Sequence, residues 1–271
     1  MSRPSGASRW LAAAAALLLH PALARAEDPV VYRVGIIPQA PPVTMVEKWG
    51  PLLARLSALT GATLRPKVYD SMEAFEQDLF AGGPEFVYAH PAMVAAVHRR
   101  QGYLPLVRDR RELAGQIFVR TDSPYRSVSE LQGKRVAFVG ERSFCTILVD
   151  RALAEGIGRM AFDRSFHGST RNVLRSVVLG KVEAGASLDS ALELEDAESS
   201  GLIRPLLTSA SFAPHPIAAH PRVPAALREK VASAVLEMAR DEGDRPLLAA
   251  VRMPDPLRAD YDRDYKPLEP R

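Results

Sequence analysis

Three stretches of this chain carry residue types, at suitable spacings, for holding a negatively charged group. Arg142-Ser143-Phe144-Cys145-Thr146 follows a β-type run and opens a helical one. The first turn of a helix leaves backbone N–H groups unpaired and carries a partial positive charge, which suits an oxyanion. Ser143 and Thr146 add hydroxyl donors there. Gly168-Ser169-Thr170-Arg171 has the same placement, with Ser169 and Thr170 at the helix start and Arg171 able to clamp an acidic group with two N–H bonds. Tyr88 and His90 stand where a strand ends and a helix begins at Pro91, a third matching position. Ligands of open parallel sheets sit beyond the carboxyl ends of the strands, so three such turns describe one pocket. Each Ser or Thr is also a good helix cap, and each Arg a good surface residue, roles that need no ligand.

Chemistry beyond binding has less support. A thiol at a helix start, such as Cys145, can be acidified by the N–H groups around it. No histidine lies near it in sequence to act as a base, and a small buried packing role suits cysteine equally. The chain has no GxSxG elbow, no GxxxxGK[ST] phosphate loop and no GxGxxG fingerprint. His90, His98, His167, His215 and His220 show neither HxxxH nor HExxH spacing. No enzyme, no metal site and no cofactor is therefore expected, and one cysteine excludes an intrachain disulfide.

The elements that must position these residues alternate. Val30–Ile37 is a β-branched strand, followed by a Pro-rich loop and a helix over 43–59 that Gly61 caps. Strand, helix and strand follow over 64–68, 71–81 and 85–88, then a helix over 91–101. A second series starts beyond Thr121–Pro124: a capped turn at Ser127–Leu131, a strand over 135–139, a helix over 144–155, a short strand at 165–166 and a helix over 170–179. Strand 182–186, helix 189–198 and strand 202–207 follow, then the stiff Pro214-His215-Pro216 and helices over 225–240 and 245–251. Such alternation predicts an α/β protein with mostly parallel sheets flanked by helices. Thr121–Pro124 and Ser211–Pro216 are the expected crossings of a two-strand hinge, which divides the chain into lobe I (27–121 and 214–271) and lobe II (122–213).

Residues 1–26 read as a signal peptide. Arg3 and Arg9 precede an apolar run from Trp10 to Leu19, and Ala24-Arg25-Ala26 has the small-x-small form of a cleavage site, so cleavage is expected after Ala26. The run is shorter than the roughly 20 apolar residues of a membrane span, and no Cys follows it to take a lipid. Three of the 35 basic residues lie in this leader, which leaves 32 against 32 acidic ones. That balance offers no basic field to recruit nucleic acid or anionic lipid. A soluble periplasmic monomer of two lobes is expected.

The motifs in their order resemble the periplasmic substrate-binding proteins of phosphate, phosphite and phosphonate ABC transporters, the phosphonate-binding branch of the type II periplasmic binding fold. The resemblance rests on Gly35-Ile36-Ile37-Pro38, Val68-Tyr69-Asp70-Ser71, Glu85–Pro91, Ser127–Phe138, Phe166-His167-Gly168-Ser169, Gly180–Ala186 and Tyr261–Leu268, nearly the whole chain after the leader. It implies a hinged receptor that captures a small anionic solute and delivers it to an ABC permease. A receptor presenting its ligand to a membrane sensor kinase, or a binder of a carboxylate, would share this frame. Tyr69 and Tyr88 match ligand-facing positions of the family, and Ser143 matches the first hydroxyl of its "S-T-S-G" loop. Phe144-Cys145-Thr146 departs from that loop by losing a hydroxyl and gaining a ring. Thr170 replaces the pocket histidine and Arg171 an acidic neighbour, while Ser190 stands where an acid for an amino group is expected, with Asp189 adjacent.

Overall fold

A computed structural model describes residues 30–269, so the leader and its cleavage site lie outside the described residues. The first lobe opens with β1 (Val31–Ile36), α1 (Pro42–Thr60), β2 (Thr63–Lys67), α2 (Met72–Phe80), β3 (Phe86–Tyr88), α3 (Pro91–Gln101) and β4 (Leu104–Asp109). The second lobe holds β5 (Gly115–Arg120), a 3-10 turn at Val128–Leu131, β6 (Arg135–Phe138), α4 (Phe144–Gly156), β7 (Asp163–Phe166), α5 (Thr170–Val178), β8 (Ala184–Leu188), α6 (Asp189–Leu192), α7 (Ala197–Gly201) and β9 (Ile203–Thr208). The chain then returns through β10 (Pro216–Ala219), α8 (Ala225–Met238), α9 (Arg245–Ala250), β11 (Pro256–Arg258), α10 (Tyr261–Asp264) and a last 3-10 turn at Lys266–Leu268.

Two sheets result, ordered β11-β4-β10-β3-β1-β2 and β7-β6-β8-β5-β9. The two-lobed α/β architecture stands, and both sheets are mixed. β1 with β2 and β3, and β6 with β7 and β8, are parallel, as βαβ crossovers require. The strands that carry the chain between lobes, β4, β5, β9 and β10, pair antiparallel, and they account for the departure from a mostly parallel pattern. In β4, β10 and β11, Pro105, Pro216 and Pro256 with the charged Arg108 and Asp109 break the β-type pattern, while β5, Gly115–Arg120, is a further strand that the expected series lacks.

This topology also corrects the first crossing. β5 lies between β8 and β9 in the second sheet, so the chain changes lobe at 110–114, ahead of Thr121–Pro124. The return runs through 209–215, and the two crossings lie side by side. Leu113 and Phe212 exchange both backbone hydrogen bonds (2.8 and 3.0 Å), while Gly115 N–H donates to Ser209 Oγ at 2.9 Å.

Packing brings the helix starts to the strand ends. Ile117, Val136 and Phe138 face Cys145 and Val149 of α4, whereas the alternating Phe118 and Ala137 face Val173 and Val177 of α5. The period of two places α4 and α5 on opposite faces of one sheet. Both approaches need glycine. A Cβ on Gly115 would stand 2.9 Å from Leu148 Cβ, and one on Gly185 2.7 Å from Val173 Cγ1 and 2.8 Å from Phe118 Cζ. In lobe I, α1 seats Trp49, Leu52, Leu53 and Leu56 on the sheet, and Gly61 ends it in the left-handed conformation expected of its cap.

The C-terminal segment is bolted beneath the hinge by a buried charge. Asp264 accepts from Arg108 Nη2 at 3.0 Å, from Arg263 Nε and Nη2 at 2.7 Å each, and from the Asp260 N–H. Burial alone would raise its pKa, but the hydrogen bonds from Arg263 and Arg108 hold it at about 2. Removing one partner of a buried pair leaves the other uncompensated. Asp264→Ala should therefore cost roughly 3–5 kcal/mol, on the order of 10 °C in Tm for a chain of this size. Lys266→Ala, which breaks an exposed pair with Asp262, should leave the melting curve in place. Equal shifts in a calorimetric scan would contradict the assignment.

Candidate ligand-binding cleft

The cleft is built from two capped helix starts, one from each lobe, and the second crossing. At the end of β3, His90 caps α3 by accepting the Met93 N–H on Nδ1 at 3.3 Å. Its burial drives the pKa down to about 4, so the ring is neutral. With Nδ1 accepting, the single proton of that ring sits on Nε2. At the end of β6, Ser143 caps α4 by accepting the Thr146 N–H. Thr146 Oγ1 in turn donates to Gly140 O at 2.7 Å and lies 3.0 Å from Ser143 Oγ, which directs the Ser143 proton to Thr146. The two hydroxyls thus close a local ring of their own. The N–H groups of Phe144 and Cys145, in the first turn, find no partner among the described residues.

Rings join these starts across the lobes. Phe144 of lobe II stacks on His90 of lobe I, with centroids 5.9 Å apart and planes 13° apart. His215, from the return crossing, meets Phe144 edge-on at 6.1 Å and His90 edge-on at 6.5 Å. On its other side it stacks on Tyr88 at 5.4 Å, and Tyr88 rests on Trp49 at 4.8 Å. Burial, helped by His90 and Arg252, pushes the His215 pKa down to about 3, and Gln39 Nε2 lies 3.2 Å from its Nε2. Phe144 and Leu148 of α4 also pack with Ala95 of α3, Leu113 of the first crossing and Leu268 of the tail. At the rim, Arg142 reaches Glu76 of α2 at 3.0 Å. Apart from Tyr88 on Trp49, which lies within lobe I, these contacts span the two lobes or involve the hinge.

A family model described as ABC transporter, phosphonate, periplasmic substrate-binding protein matches residues 34–265, both lobes of this architecture. The chain belongs to this family. Among solved structures it is similar to PhnD1 of Prochlorococcus marinus in complex with methylphosphonate (15% identity, 89% of this chain and 96% of that one, TM-score 0.75). It is also similar to XAC2383 of Xanthomonas citri bound to chloride ion or to ATP (19%, 88% and 95%, TM-score 0.72). A third is a binding protein component of an ABC phosphonate transporter from Pseudomonas aeruginosa (14%, 87% and 83%, TM-score 0.71). At these identities the likeness is one of fold. No curated protein sequence matches the chain significantly.

Within this substrate-binding protein, the expected site residues divide. Tyr88, His90, Ser143 and Thr146 meet at the junction of rings and helix starts just described. Ser169 caps α5 by accepting the Asn172 N–H, and Thr170 shares a 2.7 Å hydrogen bond with the fully buried Ser187 at the end of β8. Arg171 turns outward, 78% exposed and paired with Glu195 at 3.0 Å, so it is a surface ion pair and not a clamp. Tyr69 donates to Asp78 Oδ2 at 2.6 Å and its hydroxyl lies against Gly35, so its proton is committed within lobe I. Asp78, also held by Lys67 at 2.7 Å, competes for that hydroxyl. Asp189 Oδ1 accepts from Ala114 N–H at 3.1 Å and from Ser190 N–H at 2.7 Å, which ties α6 to the hinge. Cys145 is buried, and that burial raises its thiol pKa well above the ordinary value. No cluster of metal-ligating side chains occurs among the described residues.

Phe144, His215, Gln39 and Trp49 were not read as site residues. In the sequence Phe144 stands out as a ring in place of a hydroxyl, and His215 as a histidine without metal-ligand spacing inside a stiff Pro-flanked passage. A signal was nonetheless present: the ring occupies N1 of the helix whose start was already chosen, and a histidine sits inside the crossing.

Two buried neutral histidines make this junction acid-sensitive. The folded pKa values of about 4 and about 3 lie below the ordinary 6.5, so the unfolded chain takes up protons first as pH falls. Stability is complete above about pH 6.5 and declines below it, by about 2 kcal/mol per histidine by pH 5. The Tm should fall between pH 7.5 and pH 5, and His90→Asn with His215→Asn, which keeps a cap acceptor at position 90, should flatten that slope. A slope unchanged in the double variant would contradict the assignment.

Proposed function

We propose that the mature chain, cleaved after Ala26, is a periplasmic receptor that encloses a small oxyanion between its lobes and delivers it to the permease of an ABC transporter. The anion is of the phosphonate, phosphite or phosphate type, held without chemical turnover. One observation carries this reading. The described surface of the cleft offers uncharged donors and no basic side chain: the His90 Nε2–H and the N–H groups of Phe144 and Cys145, with the α3 and α4 starts brought together by the His90–Phe144 stack. Among the described residues His90 Nε2 and the Tyr88 hydroxyl have no hydrogen-bond partner, although both side chains are more than nine-tenths buried, and neither atom is sealed from water. Donors open in this way are met by water or by a guest that replaces it. The two adjacent crossings supply the hinge on which the lobes open, and the resistant, buried thiol of Cys145 argues against catalysis on this scaffold.

The leaderless protein, beginning at Glu27, tests the proposal in a thermal-shift and titration-calorimetry series with methylphosphonate, phosphite and phosphate. A guest at 100 times its Kd stabilises the folded form by about 2.7 kcal/mol, which for this length is on the order of 5–10 °C. No shift with any of these anions at millimolar concentration would contradict the proposal.

A further inference from the structure

The cleft itself offers neutral donors, so a positive charge that answers an anion has to stand outside its lining. We propose that Arg252, at the end of α9, is that charge, drawing the anion to the cleft and holding it there through its field. The inference rests on the receptor reading and adds a residue to it.

The first argument is the backbone. The helix α9 ends in a Schellman turn: the Arg252 N–H donates to Ala249 O at 3.0 Å and the Met253 N–H to Leu248 O at 2.9 Å. Leu248 and Met253, both fully buried, close that turn within the lobe I core. The residue between them must be left-handed. The φ of Arg252 is 62°, the one positive φ outside glycine among the described residues. Glycine suits that place and a long side chain does not, so stability alone gives no reason for an arginine. The fold does not use the side chain either. It is exposed and makes no hydrogen bond, ion pair or ring contact among the described residues. A residue kept in a strained conformation without a packing role points to a use outside the fold.

The second argument is place. Beyond Arg252 the chain enters β11, whose Pro256 pairs with Asp109 at the carboxyl end of β4. Asp109 accepts the Asp255 N–H at 2.8 Å, and Asp255 O accepts the Arg110 N–H at 2.9 Å. Segment 251–255 is thus tied at both ends, on the edge of the sheet where β3 delivers Tyr88 and His90. The charge of Arg252 reaches the rings there. Burial lifts the Tyr88 hydroxyl well above its ordinary range, and Arg252 opposes that rise while Asp109 adds to it. Burial takes His215 down to about 3, with His90 and then Arg252 adding to the fall. Asp109 is buried and accepts from two N–H groups, those of Asp255 and Arg111. The other arginines of the hinge and the α4 start each have a carboxylate: Arg108 has Asp264, Arg110 has Asp255, Arg111 has Glu193 and Arg142 has Glu76. Arg252 has none. A charge at a rim acts at range, so it speeds encounter with an anion and is screened by salt.

Trp10 lies in the leader, so the leaderless protein has Trp49 as its single tryptophan, and that ring rests on Tyr88 and reports binding by fluorescence. Methylphosphonate, phosphite and phosphate are titrated, and mixed by stopped flow, at pH 7.5. Arg252→Gln should raise the Kd of the anion that binds about fivefold at low salt, chiefly through slower association. The difference should shrink to about twofold at about 0.15 M salt. Arg252→Lys, which keeps the charge, should stay within about twofold of the wild type. Arg159→Gln removes an exposed charge beyond the far end of α4 and should leave Kd in place. Arg252→Gly separates binding from folding: it should weaken binding as Arg252→Gln does and raise Tm by about 2–4 °C. Anion binding that Arg252→Gln and Arg252→Gly leave unchanged overturns this inference and leaves the receptor standing. A lower Tm for Arg252→Gly overturns the claim that the fold has no use for the side chain. Binding of none of the three anions by the wild type overturns the receptor reading, and this inference with it.

Discussion

The contact between Phe144 and His90 is the constraint around which the cleft is organised. Each ring is fixed by a helix start: His90 because its Nδ1 caps α3, Phe144 because it is the first residue of a helix capped by Ser143. A cap determines where the chain turns, and the first side chain of the helix then points where the strand end leads. Because both helices begin at carboxyl ends of strands, stacking the two rings forces the electropositive ends of α3 and α4 toward one space. Burial in that stack keeps His90 neutral, which sets its tautomer and therefore the donor it presents. Geometry, protonation and binding chemistry follow from the same contact.

The hinge gives that contact its mechanical meaning. Two crossings joined at Leu113 and Phe212 define an axis, and the closing surfaces meet at Phe144, Leu148, Ala95 and Leu268 close to it. Arg142 and Glu76 meet farther out, where an exposed pair contributes little to stability but gains or loses a partner as the lobes move. The buried Arg108–Asp264 pair lies on the lobe I side and anchors the tail that presents Leu268. The contacts between the lobes are thus the ring stack, the packing of Leu148 with Ala95 and Leu268, the Arg142–Glu76 pair and the hydrogen bond from Arg151 to the Pro267 carbonyl, and each lobe keeps a core of its own.

The sequence made the element order legible because strands with β-branched content and helices with Ser, His or Pro at their starts obey local rules. The helix expected near 91–101 and the helix starts expected at about Phe144 and Thr170 lie where the structure has them. Of the strands that carry the chain between lobes, β9 is legible in the sequence, whereas Pro105 and Arg108 in β4 and Pro216 in β10 obscure any alternation and only long-range pairing makes those two strands. That omission moved the first crossing from 110–114 to Thr121–Pro124. The site was half legible. Helix-cap residues were found because capping is local, but the fate of Tyr69, Arg171 and Asp189 depends on Asp78, Glu195 and Ala114, partners distant in sequence or in another element. Phe144 and His215 were hidden for the same reason: their meaning lies in a contact 71 residues apart.

The most direct test is a crystal structure of the leaderless protein grown with methylphosphonate. The account predicts density for the anion at the starts of α3 and α4, with oxygens within about 3 Å of the Phe144 and Cys145 nitrogens and of His90 Nε2. Density seated elsewhere, with the Phe144–His90 stack undisturbed and those donors still unmet, would contradict it.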